Sequence, residues 1–288
     1  MGLAFDTTQD CSTLAPQLLA KGYDVIIRYY SQNAWKRLGA AEALAISRAG
    51  LRLAVVYQDR QNQAEDFSAY KGRSSASAAL DYAHHVIFQP AGSAIYFSVD
   101  YDATSDDLTN CILPFFAAVR AEFDSSGKDY QIGVYGSGLT CRTLQDAGVV
   151  DFTWLAQSTG FLDYNSYLSS QKWALAQRAP TNELNIDGDP DEICHQGKGV
   201  FGGFMLFGDH FGPAAQAPTS MVSTSKVNAA SGLWLRAGPG MNYATLQVLP
   251  AGKEVGVLGR SGDWAQVALN GGTQAAGYVF GAYLVPAA

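Results

Sequence analysis

Short apolar runs that end in a polar or aromatic residue recur along the first two-thirds of this chain, with helical patterns between most of them. The runs are Leu3–Asp6, Val25–Tyr30, Leu51–Tyr57, Ala94–Asp100, Tyr130–Tyr135, Phe152–Gln157, Lys172–Gln177 and Leu184–Asp187. Runs that are continuously apolar suit strands buried on both faces. Ala40–Ala49, Ser74–Val86 and Asp106–Phe123 carry apolar residues at helical spacing, with Gly50 and Gly127 as stop signals. Such strands alternating with helices imply a parallel sheet covered by helices. Eight units in about 200 residues predict a (β/α)8 barrel. The alternative is an open, doubly wound sheet. No G-x-G-x-x-G follows the first run, so a dinucleotide site has no support.

The chain divides by charge and pattern. Residues 1–210 hold 15 basic and 24 acidic residues, whereas residues 211–288 hold four and two. Residues 211–225 are rich in Pro, Ala, Ser and Thr, lack periodicity, and read as a linker. Residues 226–288 show short strands and Gly turns, and predict a small all-β unit. The overall charge of −7 argues against a nucleic-acid binder. No apolar run approaches the roughly 20 residues that span a bilayer. The opening residues show neither the basic nor the apolar part of a signal peptide. Cys11, Cys111, Cys141 and Cys194 lack zinc spacing and are too few for a disulfide framework.

In a βα barrel the site lies at the C-terminal strand ends. Asp6 ends the first run, Asp100 and Asp102 the fourth, and Asp187 the eighth; Gln157 and Gln177 end the sixth and seventh. Residues i and i+2 of a strand share a side, so Asp100 and Asp102 are expected at the mouth together. A closed barrel brings Asp187 near Asp6. Clustered carboxylates suit glycoside hydrolysis, in which one carboxyl donates a proton and another stabilises positive charge or activates water. Crowding raises some of their pKa values. Tyr29, Tyr57, Tyr96, Tyr135 and Trp154 lie near the same strand ends and would stack on sugars. Asp187-Gly-Asp189-Pro-Asp191 resembles the start of a calcium loop, but its twelfth position is Lys198, so no metal is expected. His84 and His85 read as surface or packing residues, and His195 beside Cys194 does not read as a catalytic pair.

The segments GLAFDTTQDCS, GYDVIIRYYS, IYFSVDYDAT, YQIGVYGSG and WLAQSTGF resemble the Rv2525c-like glycoside-hydrolase-like domain, also known as domain of unknown function 1906. That family is similar to the family 25 muramidases, βα barrels that cut peptidoglycan. The resemblance places Asp6 at their strand-one Asp and Asp100 and Asp102 on their strand-four Asp-x-Glu. It puts Asp187 near their last Asp. It implies Asp102 as general acid, with Arg28, Tyr57, Tyr135, Gln157 and Gln177 holding sugar and no cofactor needed. The motif departs in one place. Asp102 stands where those muramidases have Glu, and reaches about 1 Å less far, a displacement that can cost about a hundredfold in rate.

The last unit resembles a bacterial SH3-like cell-wall domain, carried by LWLRAGPG, LPAG, GDWAQV, GYV and YL. Arg236, Tyr243, Trp264 and Tyr278 are its candidate contacts, with core filling the stronger reading for Trp264. The two resemblances together imply a peptidoglycan-directed glycosidase with a wall-binding module, acting in the periplasm or outside the cell. Delivery by a phage lysis cassette or a secretion machine, with an immunity protein as partner, fits that reading, and a Cys11–Cys194 bridge fits that compartment. The alternative is a barrel that holds wall glycan without cutting it.

Overall fold

Strand β1 (Leu3–Asp6) pairs in parallel with β2 (Val25–Tyr30). The sheet then grows in chain order through β3 (Arg52–Tyr57), β4 (Ala94–Ser98), β5 (Gln131–Gly136), β6 (Phe152–Leu155) and β7 (Leu175–Gln177), every pair parallel. This is a computed structural model, and it describes residues 2–127, 129–183, 185–194, 200–206, 223–236, 238–241, 243, 245–261, 263–269, 271 and 276–287.

The eighth stave runs the other way. After β7 the chain turns through β8 (Thr181–Glu183) into β9 (Ile186–Ile193), which lies antiparallel to β7 on one side and β1 on the other and so closes the barrel. The expected parallel strand at Leu184–Asp187 is therefore replaced by a hairpin arm. A parallel return needs a crossover of a dozen or more residues, and only eight separate β7 from β9.

Helices α1 (Ala15–Ala20), α2 (Ala40–Arg48), α3 (Ala69–Tyr82), α4 (Ser105–Asp107), α5 (Leu113–Ser125), α6 (Gly138–Asp146) and α7 (Tyr164–Ser170) fill the connections after β1 to β6. Short polar side chains set their starts. Ser68 Oγ accepts the Lys71 N–H, which starts α3 five residues before the apolar pattern alone suggests. Thr104 and Asp107 form a reciprocal capping box, and Ser137 caps α6.

Period-two alternation builds two cores. Ala4, Val25, Ile27, Ala54, Val56, Tyr96, Trp154, Leu175 and Ile193 fill the lumen. Their neighbours Phe5, Ile26, Leu53, Val55, Phe97 and Leu155 face the helices, where Phe97 meets Phe115, Phe116 and Phe123. Gly133 admits the Tyr96 ring, since a Cβ there would lie 2.3 Å from it. Phe201 plugs the lower end; its carbonyl accepts the Tyr96 hydroxyl at 2.8 Å.

The second unit is a seven-stranded antiparallel sheet of β10 (Ser223–Val227), β11 (Leu233–Arg236), β12 (Thr245–Leu249), β13 (Glu254–Ser261), β14 (Trp264–Leu269), β15 (Gly277–Phe280) and β16 (Leu284–Pro286). Its core is Val227, Leu233, Leu235, Leu249, Val255, Val257, Ala265, Val267 and Val279. Of the expected linker, residues 211–222 lie outside the described residues, and 223–225 already belong to β10.

Candidate active site at the barrel mouth

The lumen-facing positions of the strands converge on an open cleft of about 270 Å³ at the barrel mouth. Tyr29, Ser98, Tyr135, Trp154, Gln177 and Asp189 line it from six strands, and Asp100, Gln58 and Gln157 add to its rim. A larger depression of about 520 Å³ lies at the opposite end of β6 and β7. Its Asp151 carboxylate is already held by Arg120 and by the Ile132 N–H, so the open chemistry is at the mouth.

Asp6 lies beneath the cleft floor, 3% exposed. Its register partner across the closing seam is Asp189. The close approach of β9 depends on Gly188, where a Cβ would sit 2.4 Å from the Asp6 carbonyl oxygen. Gln177 ties the two carboxyls together. Its Nε2 donates to Asp6 Oδ2 and to Asp189 Oδ2, each at 2.8 Å. Its Oε1 accepts the Tyr135 hydroxyl at 2.9 Å and the Gln157 N–H at 3.4 Å, which fixes the amide orientation. Tyr29 donates to Asp6 Oδ1 at 3.1 Å. Below them Asp191, fully buried, takes the Trp154 indole N–H at 2.6 Å, and its other oxygen has no partner among the described residues.

Three carboxyls in one buried network cannot all be ionised cheaply. Burial first, then the charge of Asp189, pushes Asp6 up to about 7, against the hydrogen bonds from Gln177 and Tyr29. Burial and then the charge of Asp6 hold Asp191 well above the usual carboxylate range. Burial also raises Asp189. The group therefore retains a proton near neutrality and titrates as a unit.

That proton has a stability consequence. Asp6 has its ordinary pKa when unfolded, so folding takes up a proton between about pH 4 and pH 7. Stability from this group is full below that window and falls as pH rises through it, by at most about 4 kcal/mol. Urea unfolding is expected to show wild type losing more stability between pH 5 and pH 8 than Asp6→Asn. Equal losses in the two proteins would contradict the buried proton.

The structure brings Asp6, Tyr29, Asp100, Tyr135, Trp154, Gln157 and Gln177 to the cleft or its floor, and separates Asp102, Asp187, Arg28, Tyr57 and Tyr96 from it. Asp100 is exposed, and its Oδ2 accepts the Gln58 amide at 2.9 Å. Asp102 does not line the cleft. Strand β4 stops at Ser98, the alternation lapses, and Asp102 Oδ1 instead accepts the Leu162 N–H at 2.8 Å. Asp187 is exposed, and its carbonyl takes the Thr7 hydroxyl. Arg28 points away from the lumen, 1% exposed, with its guanidinium on both oxygens of Glu42 and on the carbonyls of Thr7 and Lys36. Tyr57 also faces outward, packing on Phe97 and donating to Asp59. Tyr96 sits lower in the lumen. Asp189, noted in the sequence as following the eighth run, and Asp191, noted as part of the calcium-like run, are the candidate site residues that the sequence reading did not assign.

All four cysteines are free, so the expected Cys11–Cys194 bridge is absent; their sulfurs face the Gln9 and Gln171 carbonyls. His84 and His85 pair with Asp129 and Asp81 at the surface. His195 lies outside the described residues. Among the described residues no acidic, His or Cys group is arranged for a metal, and no helix is long and apolar enough to cross a membrane. In the second unit Tyr278 is buried, and Arg236 holds the Met241 and Tyr243 carbonyls. Trp264 packs edge-on against Phe280. Trp234, opposite the exposed Val248, and Tyr283 are exposed aromatics there.

Comparison with known proteins agrees with this architecture. The family model for the Rv2525c-like, glycoside hydrolase-like domain matches residues 16–200, and that for the bacterial SH3 domain matches residues 231–285. Two uncharacterized Bacillus subtilis proteins are similar: YbfG is 32% identical over 57% of this chain, and FadG 30% identical over 61%. The matches span only 24% and 32% of those proteins. The crystal structure of the Tat-secreted protein Rv2525c of Mycobacterium tuberculosis superposes with a TM-score of 0.58 at 21% identity, covering 70% of this chain and 98% of that one.

Proposed function

Because the chain belongs to the Rv2525c-like, glycoside hydrolase-like family and carries a bacterial SH3 domain, we propose that it hydrolyses a bacterial cell-wall glycan, peptidoglycan first, on the outer side of the membrane. One observation carries the reading. Asp100 and Asp189 face a single cleft in unlike surroundings, Asp100 exposed and Asp189 half-buried against carboxyls that retain a proton. Unlike environments are how two carboxyls divide acid and base roles. Asp189 passes a proton from the shared network to the leaving glycosidic oxygen; a water then adds to the anomeric carbon, and the proton it gives up returns to the Asp6–Asp189 pair. Asp100 stabilises positive charge at the anomeric carbon as the bond breaks. Tyr29, Tyr135 and Trp154 offer aromatic edges to the sugar, Gln157 hydrogen-bonds it, and the SH3 unit keeps the barrel at its insoluble substrate.

A second reading is binding without cleavage. It is favoured by Asp102, whose carboxylate is engaged by the Leu162 N–H rather than free at the cleft. Incubation with purified sacculi separates the two. Hydrolysis is expected to release soluble muropeptides with new reducing ends, and mass spectrometry of the terminal sugar identifies the bond cut. Protein that pellets with sacculi and releases nothing would overturn cleavage in favour of binding.

A further inference from the structure

Beside the carboxylate cleft, the loop between β2 and α2 presents a cation that the chemistry above does not use. The Lys36 residue is 7% exposed overall. Its Nζ stands 5.1 Å from the centroid of the Tyr29 ring, the same ring that lines the cleft. It makes no ion pair or hydrogen bond among the described residues. Asp59 and Asp100 act on it electrostatically without reaching it. The one with the larger effect, Asp59, is already occupied, because Ser31 Oγ, the Gln32 N–H and the Tyr57 hydroxyl donate to its two oxygens. The ammonium thus has donors with no acceptor among the described residues. Next to it Trp35 is 72% exposed, with its ring 6.0 Å from the same Nζ. Indole faces stack on sugar rings, and this one stands open beside an unengaged ammonium. The position is also built. Arg28 holds the Lys36 carbonyl at 3.1 Å while gripping Glu42 of α2, so the loop is anchored from the core.

We propose that Trp35 and Lys36 form a subsite for a carboxylate-bearing sugar, the indole stacking on the ring and the ammonium pairing with the carboxylate. This deepens the proposed function and rests on it. It assigns the substrate as an acidic glycan rather than a neutral one such as chitin. The carboxylate comes either from a free lactyl ether or from a uronic acid, and Lys36 reads the same chemistry in both.

The test is equilibrium binding of the full chain to peptide-free peptidoglycan strands, whose lactyl carboxylates are free, and to the same strands after those carboxylates are amidated. A partly desolvated charge-assisted contact predicts about tenfold tighter binding of the acidic strands. The preference should fall towards one in Lys36→Met and persist in Lys36→Arg. In wild type it should shrink as salt rises, a readout that needs no variant. An oligouronate distinguishes the sources: binding as tight as that of the acidic strands assigns a ring carboxylate, and weaker binding assigns the lactyl group. Equal binding of acidic and amidated strands by wild type would overturn the subsite and leave the proposed function standing. So would a preference unchanged in Lys36→Met. Failure to bind either strand, or sacculi, would overturn both.

Discussion

Replacing Asp100 or Asp189 with Asn is expected to lower glycan release from sacculi by about 10²–10⁴-fold each, the usual worth of one acid–base group. Each substitution keeps the shape and removes the titratable oxygen. In Asp189→Asn the amide oxygen can still accept the Gln177 N–H, so the fold is expected to hold, and pelleting with sacculi should persist through the SH3 unit. The double variant should lose little more than the worse single one, because groups that act on one bond are not additive. Asp102→Asn makes the comparison sharp. The resemblance to family 25 muramidases implies a loss as large as for Asp100→Asn. The cleft predicts a small one, since an Asn side chain also accepts the Leu162 N–H that Asp102 now takes. A large loss in Asp102→Asn with little effect in Asp189→Asn would reverse the assignment.

Arg28→Met is expected to destabilise the protein by about 3–5 kcal/mol, which is the cost of orphaning one partner of a buried ion pair. The Glu42 carboxylate would remain in the core, 3% exposed, with only the Cys11 N–H still donating to it. Thermal unfolding should show a fall of about 10 °C. The reverse control is Arg28→Met with Glu42→Leu. Removing both charges restores apolar contact and should recover most of the loss, short of the hydrogen bonds to Cys11, Thr7 and Lys36. If Arg28 instead bound sugar, the single variant would melt like wild type and lose only affinity.

Much of the barrel was legible because its strands are short, apolar and bounded by capping residues. Seven of the eight runs fall where strands form. The eighth was misplaced, and its direction could have been foreseen: eight residues between β7 and β9 cannot carry a parallel crossover. That one reversal moves the catalytic candidate from Asp187 to Asp189, because an antiparallel stave brings its beginning, not its end, to the barrel mouth. Strand parity held a second signal. Ala4 and Ile27 face the lumen, so Asp6 and Tyr29 do as well, whereas Arg28 and Tyr57 share sides with Ile26 and Val55 and must face the helices. Applied to every run, this rule removes Arg28 and Tyr57 from the site and retains Tyr135 and Gln177. It fails at Asp102 and at Gln157, which shares its parity with the helix-facing Leu155 yet lines the cleft, because alternation has no force once the strand has ended. The Gln177 fork between two carboxyls, and the Lys36 ammonium above Tyr29, come from tertiary contact alone.

The central claim is that the mouth of this barrel keeps a proton on a carboxyl cluster at neutral pH. Carbon-13 NMR of labelled aspartate carboxyls, with Asp6 assigned by its loss in Asp6→Asn, measures that directly. The Asp6 signal is expected to titrate near pH 7 and to move down in Asp189→Asn, where the neighbouring charge is gone. An Asp6 that titrates near 4 in wild type, unmoved by the change at Asp189, would mean that the cluster is ionised at neutral pH and has no proton to give.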